Sequence, residues 1–418
     1  MKFLPHARLR PRRGRCGTRF TLPASLMVAG LSAGALAAPA TPPACRYLAQ
    51  SMAAQPPGAV LLPSYPSEHS GALSAAAFTY DNALAAIALV ACGQVALGRR
   101  IGDALLLALD HDRYWHDGRL RNGYAAGAIR AEPLRLAGWW DRKAQRWLED
   151  GYQAGSDSGN MAWAMLALLT LQAASGDARY RDGALRLARW VEGTLDTRGA
   201  GGFIGGYFGN EPAPQRLGWK STEHNTDLAA AFGLLARVTG DAHWQQRAAG
   251  AAGLVAAMWS DACGCFAVGT AEDGVTVNPL LALDAQVWPL LGLPGAVAQH
   301  GSVLQTIDRR LRFESGYAYS EAGGGLWIEG TAQVAVLFEL LHQEGRARAL
   351  RAAIDGERSA NGGYYASGTA ATPTGFVLAT DPTKPRVYFH LEHLGAAAWA
   401  ALAQQRYNPF TGGRSLPP

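Results

Sequence analysis

Charge is scarce in this chain. Asp, Glu, Lys and Arg make up 17% of its 418 residues, and hydrophobic residues make up 49%. That balance excludes an intrinsically disordered polymer and leaves ample material for a core. Cysteine is also sparse, five in all. Cys263-Gly-Cys265 has no second Cys or His pair at ligand spacing, so a structural zinc site is excluded. There is no HExxH, no G-x-S-x-G elbow and no glycine-rich loop in a nucleotide-binding context. No metal and no cofactor are therefore expected. Glycine, at 50, is plentiful but follows no G-x-y period, which excludes collagen.

Acidic residues are wholly absent from positions 1–38, which hold Lys2, Arg8, Arg10, Arg12, Arg13, Arg15 and Arg19. These precede the apolar run Leu22–Ala38 and the small residues Ala35, Ala37, Ala38 and Ala40. A basic region, a short apolar stretch and an A-x-A-like site read as a secretory signal peptide over 1–38. One domain over 39–418 follows, in the periplasm or secreted. The formal charge of +5 belongs to this leader. Without it the acids slightly outnumber the bases, and nucleic-acid binding loses its support. No later run is long and apolar enough to span a bilayer, so no membrane association is expected after cleavage. Cys45, Cys92, Cys263 and Cys265 remain, and an oxidising compartment permits pairing. A Cys45–Cys92 bridge would tie the start of the domain to its first helical hairpin.

What the chain has in abundance is Ala- and Leu-rich helical pattern, repeated. Segments starting at Asp81, Gly159, His224, Asp284, Gly330 and Glu392 each open on polar residues and continue through a nearly all-apolar helix. In most of them a turn and a second helix carrying Arg, Gln and Asp on one face follow. Gly176-Asp177 and Gly240-Asp241 are stop-and-restart signals. The sixth helix lacks a following partner, and a helix near 45–55 would supply it. Six hairpins with buried inner and amphipathic outer helices predict an all-α fold, an (α/α)6 toroid with long loops and a few short strands. An open solenoid is the competing arrangement. The count of six, the apolar terminal helices and the long unequal loops favour closure. Loops rich in Gly, Trp and Tyr on a rigid scaffold build sites.

In a closed ring the starts of the inner helices gather at one end. Asp81, Asp157, Glu223 with Asp227, Asp284, Glu329 and Glu392 all stand at such starts. Each alone is explained as a cap or a complement to the helix dipole. Six at one mouth, with Trp and Tyr beside them, point to carbohydrate chemistry. A sugar ring stacks its C–H face on aromatics, and glycoside hydrolysis needs one protonated carboxyl and one carboxylate.

The segments TYDNALAAIAL, GNMAWAMLALL, STEHNTDLAAAF, LDAQVWPLL, WIEGTAQVAV and YNPF resemble the six-hairpin glycosidases, the (α/α)6 toroid fold of glycoside hydrolase families such as 8, 9, 15 and 88. The similarity spans about 75–410 and resembles a secreted bacterial branch. It implies a hydrolase acting on a polysaccharide or oligosaccharide by inverting carboxylate catalysis. The family-8 catalytic signature is not recognisable, so catalytic positions are not carried over from it. From the residues themselves, Glu223, Glu329, Asp81 and Asp227 are the catalytic candidates. Glu223 or Glu329 is the expected acid, and Asp81 or Asp227 the expected base. Glu223 and Asp227, four apart, share a helix face. Asp157, Asn160, His224, Asn225, Asp284, Tyr80, Trp163, Trp219, Trp327 and Tyr207 are the expected substrate contacts. A polysaccharide lyase on the same scaffold, a sugar epimerase and a non-catalytic carbohydrate-binding or assembly protein are the alternatives. The abundance of acid argues against an anionic substrate, which a lyase would require. The leader reading carries its own test: mass spectrometry of the processed protein should place its first residue near 38–41, and retention of Met1 would defeat it.

Overall fold

The computed structural model describes residues 40–132 and 134–417. The proposed leader at 1–38 lies outside them. Thr41–Pro418 forms one compact unit. The α-helices among the described residues are α1 (Pro43–Ala53), α2 (Thr79–Ala91), α3 (Val95–His111), α4 (Gly151–Ala154), α5 (Ser158–Ser175), α6 (Ala178–Glu192), α7 (Thr222–Thr239), α8 (Ala242–Ala257), α9 (Leu283–Gly292), α10 (Ala296–His300), α11 (Val303–Arg310), α12 (Ile328–Leu340), α13 (Glu344–Gly356) and α14 (Leu394–Gln405). Most strands are of two to four residues and pair in twos or, once, in a three-stranded set; the pair Ala371–Leu378 and Asp381–Phe389 is longer. No helix among the described residues is long and apolar enough to cross a membrane.

The helices form where the apolar pattern runs, and they stop for local reasons. In α5 every residue from Ser158 to Leu171 is buried, as an all-round apolar helix requires. Gly176 ends it in the left-handed conformation, φ 72°, which costs glycine little. Asp177 then caps α6 by accepting from Arg179 N–H. Gly240 and Asp241 repeat the device between α7 and α8. The outer α6 buries Tyr180, Leu187, Trp190 and Val191 and turns its arginines to solvent.

The inner helices α2, α5, α7, α9, α12 and α14 each pack on the next, and α14 packs on α2. The ring therefore closes. The outer helices α3, α6, α8, α11 and α13 belong to the first five, and α1 packs against α14, so the last hairpin takes its second helix from the start of the domain. Cys45 and Cys92 are disulfide-bonded across 47 residues, joining α1 to the end of α2, and Cys263 is bonded to Cys265.

One backbone hydrogen bond repeats around the ring. The first N–H of each inner helix donates to a carbonyl in the loop that leads into the next inner helix. These bonds are Thr79 to Asn122, Ser158 to Gly205, Thr222 to Val268, Leu283 to Tyr319, Ile328 to Ala366 and Leu394 to Ser64, at 2.8–3.2 Å. The fourth residue of most inner helices clamps its own incoming loop. Asn82 holds Leu62, Asn225 holds Phe203 and Gln286 holds Phe266, each through both N–H and C=O at 2.8–3.0 Å. Thr331 accepts from Tyr317 N–H, and Met161 Sδ from Leu120 N–H. Such clamps satisfy loop backbone that would otherwise be buried without partners.

The sixth residues close the ring's interior one turn below the second ones: Leu84, Trp163, Asp227, Trp288, Gln333 and Trp399. All are buried. Trp163 packs edge-on against Trp288 and Trp399 at centroid distances of 5.3 and 5.9 Å, and Phe410, from the C-terminal YNPF segment, stands 5.2 Å from Trp163. Replacing Cys45 and Cys92 by Ala should lower unfolding stability by about 2–4 kcal/mol, the range for closing a loop of this length. Urea titration of oxidised wild type against the double variant measures it, and an unchanged midpoint would show the bridge to be dispensable.

Candidate active site

The second residue of each inner helix forms the rim of the mouth. In ring order these are Tyr80, Gly159, Glu223, Asp284, Glu329 and Gly395. Glu223, Asp284 and Glu329 thus stand on three adjacent helices, with Tyr80 and its two glycine neighbours opposite. Capping does not explain Glu223 or Glu329, whereas Asp284 Oδ1 accepts from Ala285 N–H at 2.7 Å in the first turn of its own helix, α9. Ser221 caps α7 and His393 caps α14, while α2, α5 and α12 have no side-chain cap at all. The acids that do cap are Asp150, Asp177 and Asp241, all on helices outside the inner ring.

Glu329 is the best-ordered of the three. Tyr80 Oη donates to its Oε1, and Trp399 Nε1 donates to Tyr80 Oη at 2.8 Å. His393 Nδ1 lies 3.6 Å from Glu329 Oε2, and His393 Nε2 lies 3.3 Å from Asp81 Oδ2. The imidazole stacks on Tyr65 at 4.7 Å. His393 therefore bridges Asp81 and Glu329. Burial works against its imidazolium, but Asp81, helped by Glu329, outweighs that and raises its pKa.

Burial dominates the rim carboxyls. It pushes Glu329 up to about 7 against the opposing pull of His393 and Tyr80. It holds Glu223 well above the usual carboxylate range, with Asp284 reinforcing it. Asp284 is raised to about 6, although Ala285 N–H and Tyr319 favour its ionised form. Asp157, just ahead of α5, rises to about 7 despite Asn122. Glu223 and His224 are half-buried, whereas Asp81, Asp157, Asp284 and Glu329 are buried.

The other sequence candidates divide. Asp227 lies in the floor, fully buried, and neither carboxylate oxygen has a hydrogen-bond partner. Burial and then Glu223 raise its pKa strongly. It shares a helix face with Glu223 but not a solvent boundary. Both N–H groups and the oxygen of Asn225 are taken by backbone, so it is a loop clamp. Asn160 donates to Asn122 at 2.7 Å and reaches Tyr152 Oη at 3.4 Å. His224 lies over Gly159, where a Cβ would fall 2.5 Å from the ring. Its Nδ1 is 3.2 Å from Ser158 Oγ, and burial holds its pKa down to about 4. Trp219 packs on His224 at 5.4 Å. Trp163 belongs to the floor. Trp327, 1% exposed, is a wall against Tyr319 and Tyr388. Tyr207 has Trp190 and Arg119 as ring neighbours rather than a rim carboxyl. Glu392 accepts from Asn361 at 3.2 Å.

Sequence reasoning passed over Tyr65, Tyr319, Tyr388 and Arg386 and gave His393 no role. Aligning the six helix starts position by position would have separated rim from floor. Nothing comparable marks Tyr388 and Arg386, which come from a long hairpin, Ala371–Leu378 and Asp381–Phe389. Beside it lies a surface groove of about 790 Å³ lined by Glu68, Ser70, Thr369, Phe389 and His390, with none of the rim carboxyls. Among the described residues no group of three His, Cys, Asp or Glu is arranged to hold a metal.

No protein-family model and no curated protein sequence matches the chain. Solved structures do. A glycosidase in complex with glucose superposes with a TM-score of 0.56 at 15% identity, over 87% of this chain and 96% of that one. A cellobiose 2-epimerase from Bacillus thermoamylovorans gives 0.59 at 12%, over 86% and 95%. A GH76 alpha-mannanase from Bacteroides thetaiotaomicron gives 0.54 at 12%, over 87% and 94%. The fold is the (α/α)6 toroid that these six-hairpin enzymes share.

The buried acids set a direction for stability against pH. Raised carboxyl pKa values mean that the folded state holds protons the unfolded chain releases above about pH 4.5. Their contribution is complete below that pH and is lost as pH rises through 6 and 7, the values for Asp284, Glu329 and Asp157. His224 opposes them between about pH 4 and 6.5, and His300, also lowered by burial, acts in the same direction. The melting temperature should therefore fall from pH 5 to pH 8. Asp227→Asn should melt higher than wild type at pH 8, with the gap closing towards pH 5. A wild-type curve rising across that range would contradict this.

Proposed function

We propose that the protein is an exported glycoside hydrolase that cleaves a polysaccharide or oligosaccharide with inversion, using Glu223 as general acid and Glu329 as general base. The observation that carries the reading is the row of carboxyls, each with its pKa raised by burial, at one helix position on three adjacent helices. Glu223 is the half-buried member, its pKa held well above the usual carboxylate range by burial and by Asp284, and so is suited to protonate a leaving-group oxygen. Burial raises Glu329 to about 7, Tyr80 donates to its Oε1, and His393 Nδ1 lies 3.6 Å from its Oε2.

In the proposed step the Glu223 proton passes to the glycosidic oxygen as its bond to the anomeric carbon breaks. A water oxygen bonds to that carbon from the opposite face, and Glu329 takes the water's proton. Inversion needs the two carboxyls about 6.5–9.5 Å apart to admit the water. Asp284, between them, faces the developing positive charge of the sugar. Asp81 acts through His393, and Asp227 underlies the rim without touching substrate. The glycines beside Tyr80 let neighbouring side chains close over the backbone: a Cβ at Gly159 would fall 2.5 Å from His224, and one at Gly395 would meet Asp81 at 2.8 Å and Glu329 at 3.1 Å. Hydrolysis is favoured over elimination because the Tyr80 phenol donates to Glu329 and is held protonated by burial and that carboxylate, which removes it as a base. The two disulfides support export to an oxidising compartment.

Glu223→Gln and Glu329→Gln should each lose two to four orders of magnitude in kcat, as removal of an acid or base does, with melting temperatures unchanged or raised. The assay is release of reducing ends across a panel of glucans, mannans and xylans, with NMR of the first anomer formed. Full activity in both variants, retention of configuration, or an unsaturated product without new reducing ends would each overturn the assignment.

A further inference from the structure

One cation hangs over the rim without a partner. Arg386 is exposed, and among the described residues no carboxylate lies within 4 Å of it. Its neighbour in sequence, Lys384, is paired with Asp381 at 3.0 Å. The strand pairing aims Arg386 inward. The hairpin is in register at Pro373↔Val387 and again at Val377↔Pro385. Thr374, Gly375 and Phe376 therefore face Arg386 alone, a bulge with Gly375 at φ 83°. Thr374 Oγ1 pins it by donating to Arg386 O at 2.8 Å. Bulges of this kind re-aim a side chain beside a site. Two residues on, Tyr388 shares the face of Arg386. Its ring lies 5.6 Å from Trp327, 5.8 Å from Tyr319 and 6.3 Å from His393. That face is the one turned to the mouth.

The guanidinium influences the ionisation of Asp157, Glu223, His224 and Asp284. These sit at the starts of α5, α7 and α9, so Arg386 stands over the opening rather than at one edge. Burial raises the pKa of Asp157, Glu223 and Asp284, so the rim carries less negative charge than its count of acids suggests, and none of the three lies within 4 Å of the guanidinium. The expectation that so many acids repel an anionic substrate assumed them charged.

We propose that Arg386 is a specificity-determining residue that binds an anionic substituent of the sugar, a uronic acid carboxylate, in the mouth. The proposal rests on the carbohydrate reading of the site. A guanidinium offers a planar pair of donors that matches a carboxylate's two oxygens. A sulfate ester has the same charge and acceptor chemistry, and the experiment separates the two.

The test is isothermal titration at pH 7 of wild type, Arg386→Gln and Arg386→Lys with D-glucuronate, D-glucose 6-sulfate and D-glucose. In wild type, D-glucuronate should bind at least tenfold tighter than D-glucose. Arg386→Gln should abolish that preference, and Arg386→Lys should keep only part of it. The side chain is exposed, so all three proteins should melt alike. Tighter binding of the 6-sulfate than of D-glucuronate assigns the site to sulfated sugars and overturns the carboxylate. Equal binding of D-glucuronate and D-glucose, a preference that survives in Arg386→Gln, or no D-glucuronate binding at tens of millimolar overturns the anionic site altogether. D-glucose binding without preference leaves the hydrolase reading standing, since that is judged by turnover of the Glu223 and Glu329 variants.

Discussion

The six backbone bonds between inner helices and neighbouring loops are the constraint on which the architecture depends. A helix start leaves free N–H groups that must find acceptors. Here the first is satisfied by the loop of the next hairpin, and the sixth bond, Leu394 to Ser64, returns to the first. Position one is thereby anchored outward, and position two follows on the side of the mouth. Glu223 and Glu329 are thereby relieved of any duty as caps, while Asp284 between them still accepts from Ala285 N–H. A carboxyl that is not needed by its own helix is available to a ligand.

Holding them there is costly. Each is taken out of water with few hydrogen bonds to compensate, so the neutral form is favoured. The protein offsets this unevenly. Asp81 is given His393 as an ion-pair partner, Glu329 is given Tyr80, and Glu223 has no hydrogen-bond partner among the described residues. Different surroundings for chemically equal groups are what separates an acid from a base in one cleft. The floor continues the tension: Asp227, Gln333 and the indole nitrogens of Trp163 and Trp288 are buried without partners. That layer adds nothing to stability by hydrogen bonding and keeps the local dielectric low beneath the rim.

Much of the fold was legible in the sequence because the signal repeats. Ala- and Leu-rich runs with Gly-Asp turns mark the hairpins, and their number marks the closed ring. The site was legible at the level of residue type, since acids at apolar helix starts stand out. It was less legible at the level of role. Glu223 and Asp227 look equivalent on a helical wheel, yet one reaches the mouth and the other lies a turn deeper. Asn225 looks like a sugar contact beside His224, but its amide is spent on Phe203. Arg386 carries no local signal, because its place over the mouth depends on a bulge whose effect is set by pairing across the hairpin.

The shared last hairpin has a consequence for how such a protein changes over time. In an open stack of repeats a unit can be duplicated or lost, since each touches only its neighbours. In this molecule α14 is completed by α1 from the other end of the domain, and every inner helix is bonded to the next loop. Removing or adding one hairpin would break two seams at once and leave the floor unfilled. Repeat number is therefore quantised at six, and variation is channelled into the loops between hairpins, where a segment such as the Arg386 hairpin can redefine what enters the mouth without disturbing the ring.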